Sequence, residues 1–120
     1  MTSDLAMEVK LRGQVEGDGV LVLELREAAL DVKNMREFRQ AAHALMQDKP
    51  RVVFDMTGVR FVDSSGLGAL ISCLRHVRGS KGDLKLCAMT DRVRELFELL
   101  RMHQVFNIVE PRDEAVRSFA

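Results

Sequence analysis

Apolar residues recur along the chain with two different periods, and each period predicts its own kind of element. Leu5, Met7, Val9 and Leu11 alternate with Ala6, Glu8, Lys10 and Arg12, so the stretch from Leu5 to Gln14 predicts a half-buried strand. Glu16-Gly17-Asp18-Gly19 has the glycines and aspartate that suit a hairpin connection, and Val20-Leu21-Val22-Leu23-Glu24-Leu25 behind it predicts the returning strand. A β-hairpin is expected to open the chain.

Arg26 to Leu30 has no decisive pattern. Beyond it the period lengthens. Val32, Met35, Phe38, Ala42, Leu45 and Met46 recur at steps of three and four and form one helical stripe, with Asp31 placed to cap it. Pro50 ends this helix, because the residue before a proline is pushed out of helical geometry. Arg51 to Asp55 is too short and too continuously apolar for an exposed helix, and predicts a central strand covered on both faces.

After a turn at Met56-Thr57-Gly58, a second helical stripe follows Gly66 and carries Leu67, Leu70, Ile71, Leu74 and Val77. It stops around Arg78-Gly79-Ser80-Lys81-Gly82. Leu84 to Ala88 predicts another strand, and Thr90 or Asp91 a cap for a helix bearing Val93, Leu96, Phe97, Leu100 and Met102. Val105 to Val109 predicts a short strand, and Asp113 to Phe119 a terminal helix.

Strands alternating with helices argue for parallel pairing through right-handed crossovers, here preceded by an antiparallel hairpin. The fold class is α/β: a mixed β-sheet with helices packed mainly on one face. No internal repeat aligns and no long linker divides the chain, so residues 1–120 are read as a single domain.

Composition narrows the function classes. With 47% hydrophobic and 30% charged residues and only 2 prolines, the chain is globular in character. Its formal net charge is zero and it has no Trp or Tyr to stack bases, so no nucleic-acid partner is expected. No apolar run approaches the roughly 18 residues of a membrane-spanning helix. Met1-Thr2-Ser3-Asp4 does not open a signal peptide, so a cytoplasmic location and no membrane partner are expected. Cys73 and Cys87 form no CxxC pair and read as buried free thiols, and the methionines sit mostly on apolar stripes as core filling.

Candidate chemistry concentrates at Asp63-Ser64-Ser65-Gly66, where a strand hands over to a helix. The first N–H groups of a helix have no partner inside it, and the peptide dipoles leave partial positive charge there, so a serine at this point caps the helix or carries an anion. Three capping residues in a row exceed what one cap needs. Gly66 and Gly68 occupy places where a better helix former would stabilise more, and they leave room for a partner or phosphate to approach the backbone.

Other chemistries find less support. The residues two before Ser64 and Ser65 are Val62 and Asp63, so there is no G-x-S-x-G elbow. His43 and His76 fall within helices and His103 in a loop, none placed as a base. Asp55-Met56-Thr57-Gly58 is similar to the Asp-x-Thr-Gly of phospho-aspartyl enzymes but lacks their further acidic and lysine motifs, and reads as a turn with Gly58 at positive φ. Gly66-Leu67-Gly68 lacks the third glycine of a dinucleotide fingerprint, and no Walker lysine or metal-ligand cluster is present. No enzyme activity, cofactor or metal is expected.

The run Val53-Phe54-Asp55 to Val59-x-Phe61-x-Asp63-Ser64-Ser65-Gly66-Leu67-Gly68, continued by Gly82-Asp83-Leu84-Lys85-Leu86 and the helix from Val93 to Leu100, resembles the STAS domain family. Within it the chain is similar to the bacterial anti-sigma factor antagonists. The resemblance implies a partner switch. The unphosphorylated form binds an anti-sigma factor that is also a serine kinase and frees the sigma factor; phosphorylation ends that binding, and a serine phosphatase restores it. By motif position the phosphoacceptor is Ser64, with Ser65 capping or positioning the helix. Asp31, Thr57, Gly58, Asp63, Ser65, Gly66, Leu67 and Gly68 are then the expected partner-binding residues. Where antagonists commonly show Gly-Glu-Leu-Asp, this chain has Ala28-Ala29-Leu30-Asp31, keeping Leu30 and Asp31. A constitutive STAS scaffold in a transporter or stress-signalling complex is the alternative.

Overall fold

The structure, a computed structural model of the chain, describes residues 10–119. Strands β1 (Leu11–Glu16) and β2 (Val20–Leu25) form the antiparallel hairpin. Its turn uses Gly17 and Gly19 at φ values of 57° and 87°, a left-handed backbone that glycine adopts without a Cβ clash. The first strand ends two residues later than the alternation predicts, and Leu5 to Val9 lie outside the described residues.

β2 pairs in parallel with β4 (Arg51–Asp55), β4 with β6 (Asp83–Cys87), and β6 with the short edge strand β7 (Asn107–Ile108), so the five-stranded sheet runs β1-β2-β4-β6-β7. Side chains alternate across it as the pleat requires. Val52 and Phe54 enter the larger core, which also holds the inward residues of α1 (Met35–Met46), α2 (Ser64–Gly79) and α3 (Asp91–Leu99), including Phe38, Leu70 and Phe97. Val53 points the other way and joins Val20, Val22, Cys87 and Ala115, the last from the short helix α4 (Arg112–Arg117). Helices therefore lie mainly on one face, with α4 closing the other.

Two elements are new relative to the sequence reading. β3 (Ala29–Leu30), from the undecided segment, and β5 (Phe61–Val62), inside the serine stretch, pair in parallel as a separate two-stranded sheet. Two-residue strands have no measurable period, so pattern alone does not reveal them.

The expectation that Asp31 caps the first helix is corrected. The helix starts at Met35, Asn34 is its N-cap residue, and Val32 is 68% exposed and off the apolar stripe. Asp31 Oδ1 instead accepts from Lys33 N at 3.0 Å, and Asn34 spans the turn by accepting from Asp31 N and donating to Ala29 O. The third helix also stops earlier than its stripe suggests: Arg101 at φ 58° breaks it, a 3₁₀ turn (Met102–Gln104) follows, and Leu100 is half-exposed. Thr90 is its cap, accepting from Val93 N at 3.3 Å.

Candidate functional site

The helix that was expected to follow Gly66 begins at Ser64, and its N-cap is Asp63 rather than either serine. Asp63 holds extended backbone angles, and its Oδ1 accepts the Gly66 amide at 2.8 Å. Its other carboxylate oxygen, Oδ2, accepts the Val32 amide at 3.1 Å, while Asp63 N donates to Leu30 O at 3.2 Å. One side chain thus ties the start of α2 to the end of β3, two segments 31 residues apart in sequence. This places the Asp31-Val32 peptide beside the Ser64 junction.

With Asp63 as the cap, Ser64 is the first helical residue and is exposed, and Ser65 is half-buried within the first turn. The reading in which Ser65 caps the helix is overturned. Among the described residues the Ser64 and Ser65 amides find no acceptor, and these are the N–H groups on which the positive end of the helix dipole is concentrated.

The two glycines differ in role. A Cβ on Gly66 would lie 2.0 Å from Leu30 O, whereas one on Gly68 would meet nothing within 4 Å. Gly66 is buried because α2 passes directly over the β3 backbone; Gly68 is exposed beside the half-buried Leu67, which packs against the core.

Thr57 and Gly58 are exposed on the β4–β5 connection, and hydrogen bonding ties this turn to a different centre. Thr57 N donates to Asp55 Oδ1 at 3.0 Å, its hydroxyl donates to the same oxygen, and Asp55 Oδ2 accepts from Arg112 Nη1 at 3.0 Å. Gly58 is not in the left-handed region, so the positive-φ expectation is overturned; that backbone is taken elsewhere by Asp48, Lys81, Ala88 and Arg101.

Arg112 is the residue that pattern reasoning missed. From α4 it also bonds Glu16 and Glu24, gathering carboxylates from three strands of the sheet. Hydrogen bonds from its guanidinium hold the Glu16 and Glu24 carboxyls below their ordinary value, and the same bonds, that to Glu16 foremost, raise its own pKa. A lone arginine after Pro111 carries no sequence signal of this reach. The pairing of His43 with His76 was equally hidden: the rings, from α1 and α2, stack with centroids 4.5 Å apart, and burial followed by the neighbouring His76 and Arg39 charges lowers the pKa of His43.

The two cysteines, Cys73 and Cys87, are free and buried. Burial pushes both thiols up to about 12, with the Asp55 charge adding to the shift at Cys87, so neither presents a thiolate. Among the described residues no cluster of three or more His, Cys, Asp or Glu side chains is arranged to hold a metal, and no helix is long and apolar enough to cross a membrane.

Comparison with known proteins bears on the family and the fold. The chain is 26% identical over 102 residues to BtrV of Bordetella bronchiseptica, named as a candidate anti-sigma factor antagonist, covering 85% of this chain and 88% of that one. An anti-sigma factor antagonist STAS domain protein from Planctomyces limnophilus superposes with a TM-score of 0.81 at 22% identity, over 90% of this chain and 96% of that chain. The Bacillus cell fate determinant SpoIIAA in its phosphorylated form does so with a TM-score of 0.68 at 17% identity, over 92% of this chain and 100% of that chain. The STAS domain model matches residues 14–115, and the chain belongs to the STAS domain family.

Proposed function

We propose that this chain is an anti-sigma factor antagonist whose binding is switched by phosphorylation of Ser64. In its unphosphorylated form it binds an anti-sigma factor that is also a serine kinase and so releases a sigma factor; the phosphorylated form does not bind, and a serine phosphatase returns it to the active state. What supports the reading is the exposed Ser64 at the first position of a helix already capped by Asp63, together with the antagonist names of the relatives and the phosphorylated form of one structural neighbour.

A phosphate on Ser64 adds about −1.5 to −2 charges beside Asp63 and changes the docking surface without removing the cap. About 1.4 kcal/mol of lost interaction lowers affinity tenfold, so a few kcal/mol of repulsion suffice for a switch. Asp31, Leu67 and Gly68 border this surface, and Asp63, Ser65 and Gly66 shape it from beneath.

The test is to incubate the purified chain with each anti-sigma factor encoded in the same genome, plus ATP, and to read the mass. One added phosphate is expected on the native chain and none on Ser64→Ala, while Ser64→Asp should bind the anti-sigma factor at least tenfold more weakly. A phosphate retained on Ser64→Ala, or undiminished binding by Ser64→Asp, would remove Ser64 from the switch.

A further inference from the structure

An open apolar groove of about 360 Å³ lies between α3 and β5, the strand directly before the Ser64 junction in the chain. Buried Val62 and Val93 form its base, and its rim exposes Phe61 by 49% and Leu99 by 79%. Single exposed apolar residues also occur elsewhere on the chain, among them Val15 and Val32, but here two lie on the rim of one apolar groove. Leaving Leu99 in water forgoes the burial that Val93 and Phe97 gain on the same helix, and α3 would fold as well with a polar residue there.

The charges around the groove are unbalanced. Arg60 and Arg92 line it and, among the described residues, neither has an ion-pair partner; Glu95 is the single carboxylate. By contrast Arg94, two residues along α3, is held by Glu110, which also accepts the Ala88 amide. One arginine of the helix is committed to the fold and another is left facing an apolar groove. The same surface continues past Ser64: Phe61 and Val62 lead straight into Asp63, and on the far side of that carboxylate Val32 is exposed while its amide is held by it.

We propose that the β5–α3 groove is the docking site for an acidic, apolar-faced segment of the protein that phosphorylates Ser64. Apolar side chains of that segment fill the space between Phe61 and Leu99, and its carboxylates meet Arg60 and Arg92. Buried apolar anchors at the centre and charges at the rim are the usual division in such contacts, with the rim setting approach and register. The proposal rests on the Ser64 reading above and adds the surface by which the kinase holds the chain while that serine is presented.

The experiment uses the full chain and each purified anti-sigma factor from the same genome, with affinity measured by calorimetry and Ser64 phosphorylation by mass. Leu99→Asp and Arg92→Glu are expected to lose at least tenfold in affinity and to slow phosphorylation, while Val15→Asp, an exposed position on β1 outside the groove, is expected to leave both unchanged. Arg92→Glu should be rescued by an Asp→Lys or Glu→Lys change in the partner segment, which a folding defect would not allow. Both altered residues are exposed, so unchanged melting curves are expected. If the native chain binds and is phosphorylated but Leu99→Asp and Arg92→Glu stay within twofold of it, the groove proposal falls and the Ser64 reading stands. If no anti-sigma factor binds the native chain or phosphorylates it, both fall. Self-association of the native chain that Leu99→Asp abolishes would overturn the proposed occupant in favour of a second copy.

Discussion

Gly66→Ala and Gly68→Ala are the same chemical change two positions apart on α2, and they should have opposite signs. A Cβ at Gly66 would sit 2.0 Å from Leu30 O, 2.7 Å from Leu30 C and 3.0 Å from Leu30 Cγ. Ordinary carbon–oxygen contacts lie at about 3.3 Å or more, so the strand and helix must separate by roughly 1 Å. The obstacle is backbone and cannot rotate away. Leu30 is fully buried and paired with Val62, and its carbonyl accepts from Asp63 N. Overpacking of this kind costs about 1–3 kcal/mol, and stretching the Asp63 bonds to Leu30 and Val32 adds roughly 1 kcal/mol. The helix propensity of alanine returns about 1 kcal/mol, leaving a net loss of about 2 kcal/mol. At Gly68 only the propensity gain operates, about 0.5–1 kcal/mol. For a chain of this size these become a melting temperature lowered by roughly 6–10 °C in one variant and raised by roughly 2–4 °C in the other. Thermal and urea unfolding followed by circular dichroism measure both, with an unchanged urea slope showing that the denatured state is not the cause. Equal stability of Gly66→Ala and the native chain, or shifts of the same sign, would refute the close approach of α2 to β3.

Asp63→Ala removes the acceptor of two amides and should cost about 2 kcal/mol; Asp63→Asn keeps the cap but turns an NH₂ toward Val32 N, recovering about half, and equal melting temperatures for the two would refute the bridge. Arg112→Ala should cost roughly 2 kcal/mol at neutral pH. Because Glu16 and Glu24 titrate below their ordinary 4.5 when folded, the stability they contribute is complete above that value and lost as pH falls through the lowered pKa values; the gap between native and variant melting temperatures should therefore narrow in acid, and a constant gap would count against the ion cluster. Cys73 and Cys87 should resist a thiol reagent at pH 8 in the native state and both react in urea, and labelling of either without unfolding would contradict their burial.

Much of the sheet was legible because its strands are long enough to show a period. Val52-Val53-Phe54 reads as a doubly covered strand, and the structure places Phe54 in one core and Val53 in the other. The first helix was misjudged at its start for a physical reason: Asp31 and Asn34 both have capping chemistry, and what decides between them is that Asp63 takes the Val32 amide from across the fold. No local pattern contains that bond. At the serine junction the capping residues were visible, but their order was not, since Asp63, Ser64 and Ser65 are near equals as caps and only the bond to Gly66 N separates them. Gly58 shows the reverse error, a glycine assigned a conformation that its turn, closed by Val59 N to Met56 O, does not use.

The division of labour among Asp63, Ser64 and Gly66 bears directly on the proposed switch. If Ser64 were the cap, a phosphate on its oxygen would disturb the bond that begins α2, and the modification would act partly by loosening the fold. Asp63 carries that bond instead, and Gly66 and Leu30 seat the helix from below, so the Ser64 hydroxyl is free of structural duty. Two free amides and the helix dipole favour added negative charge there by about 0.3–1 kcal/mol, whereas the neighbouring Asp63 carboxylate opposes it. At an exposed site in water these contributions are small and partly cancel. A phosphate on Ser64 would therefore change what a partner meets far more than it changes the stability of the chain, which is the separation a reversible binding switch requires.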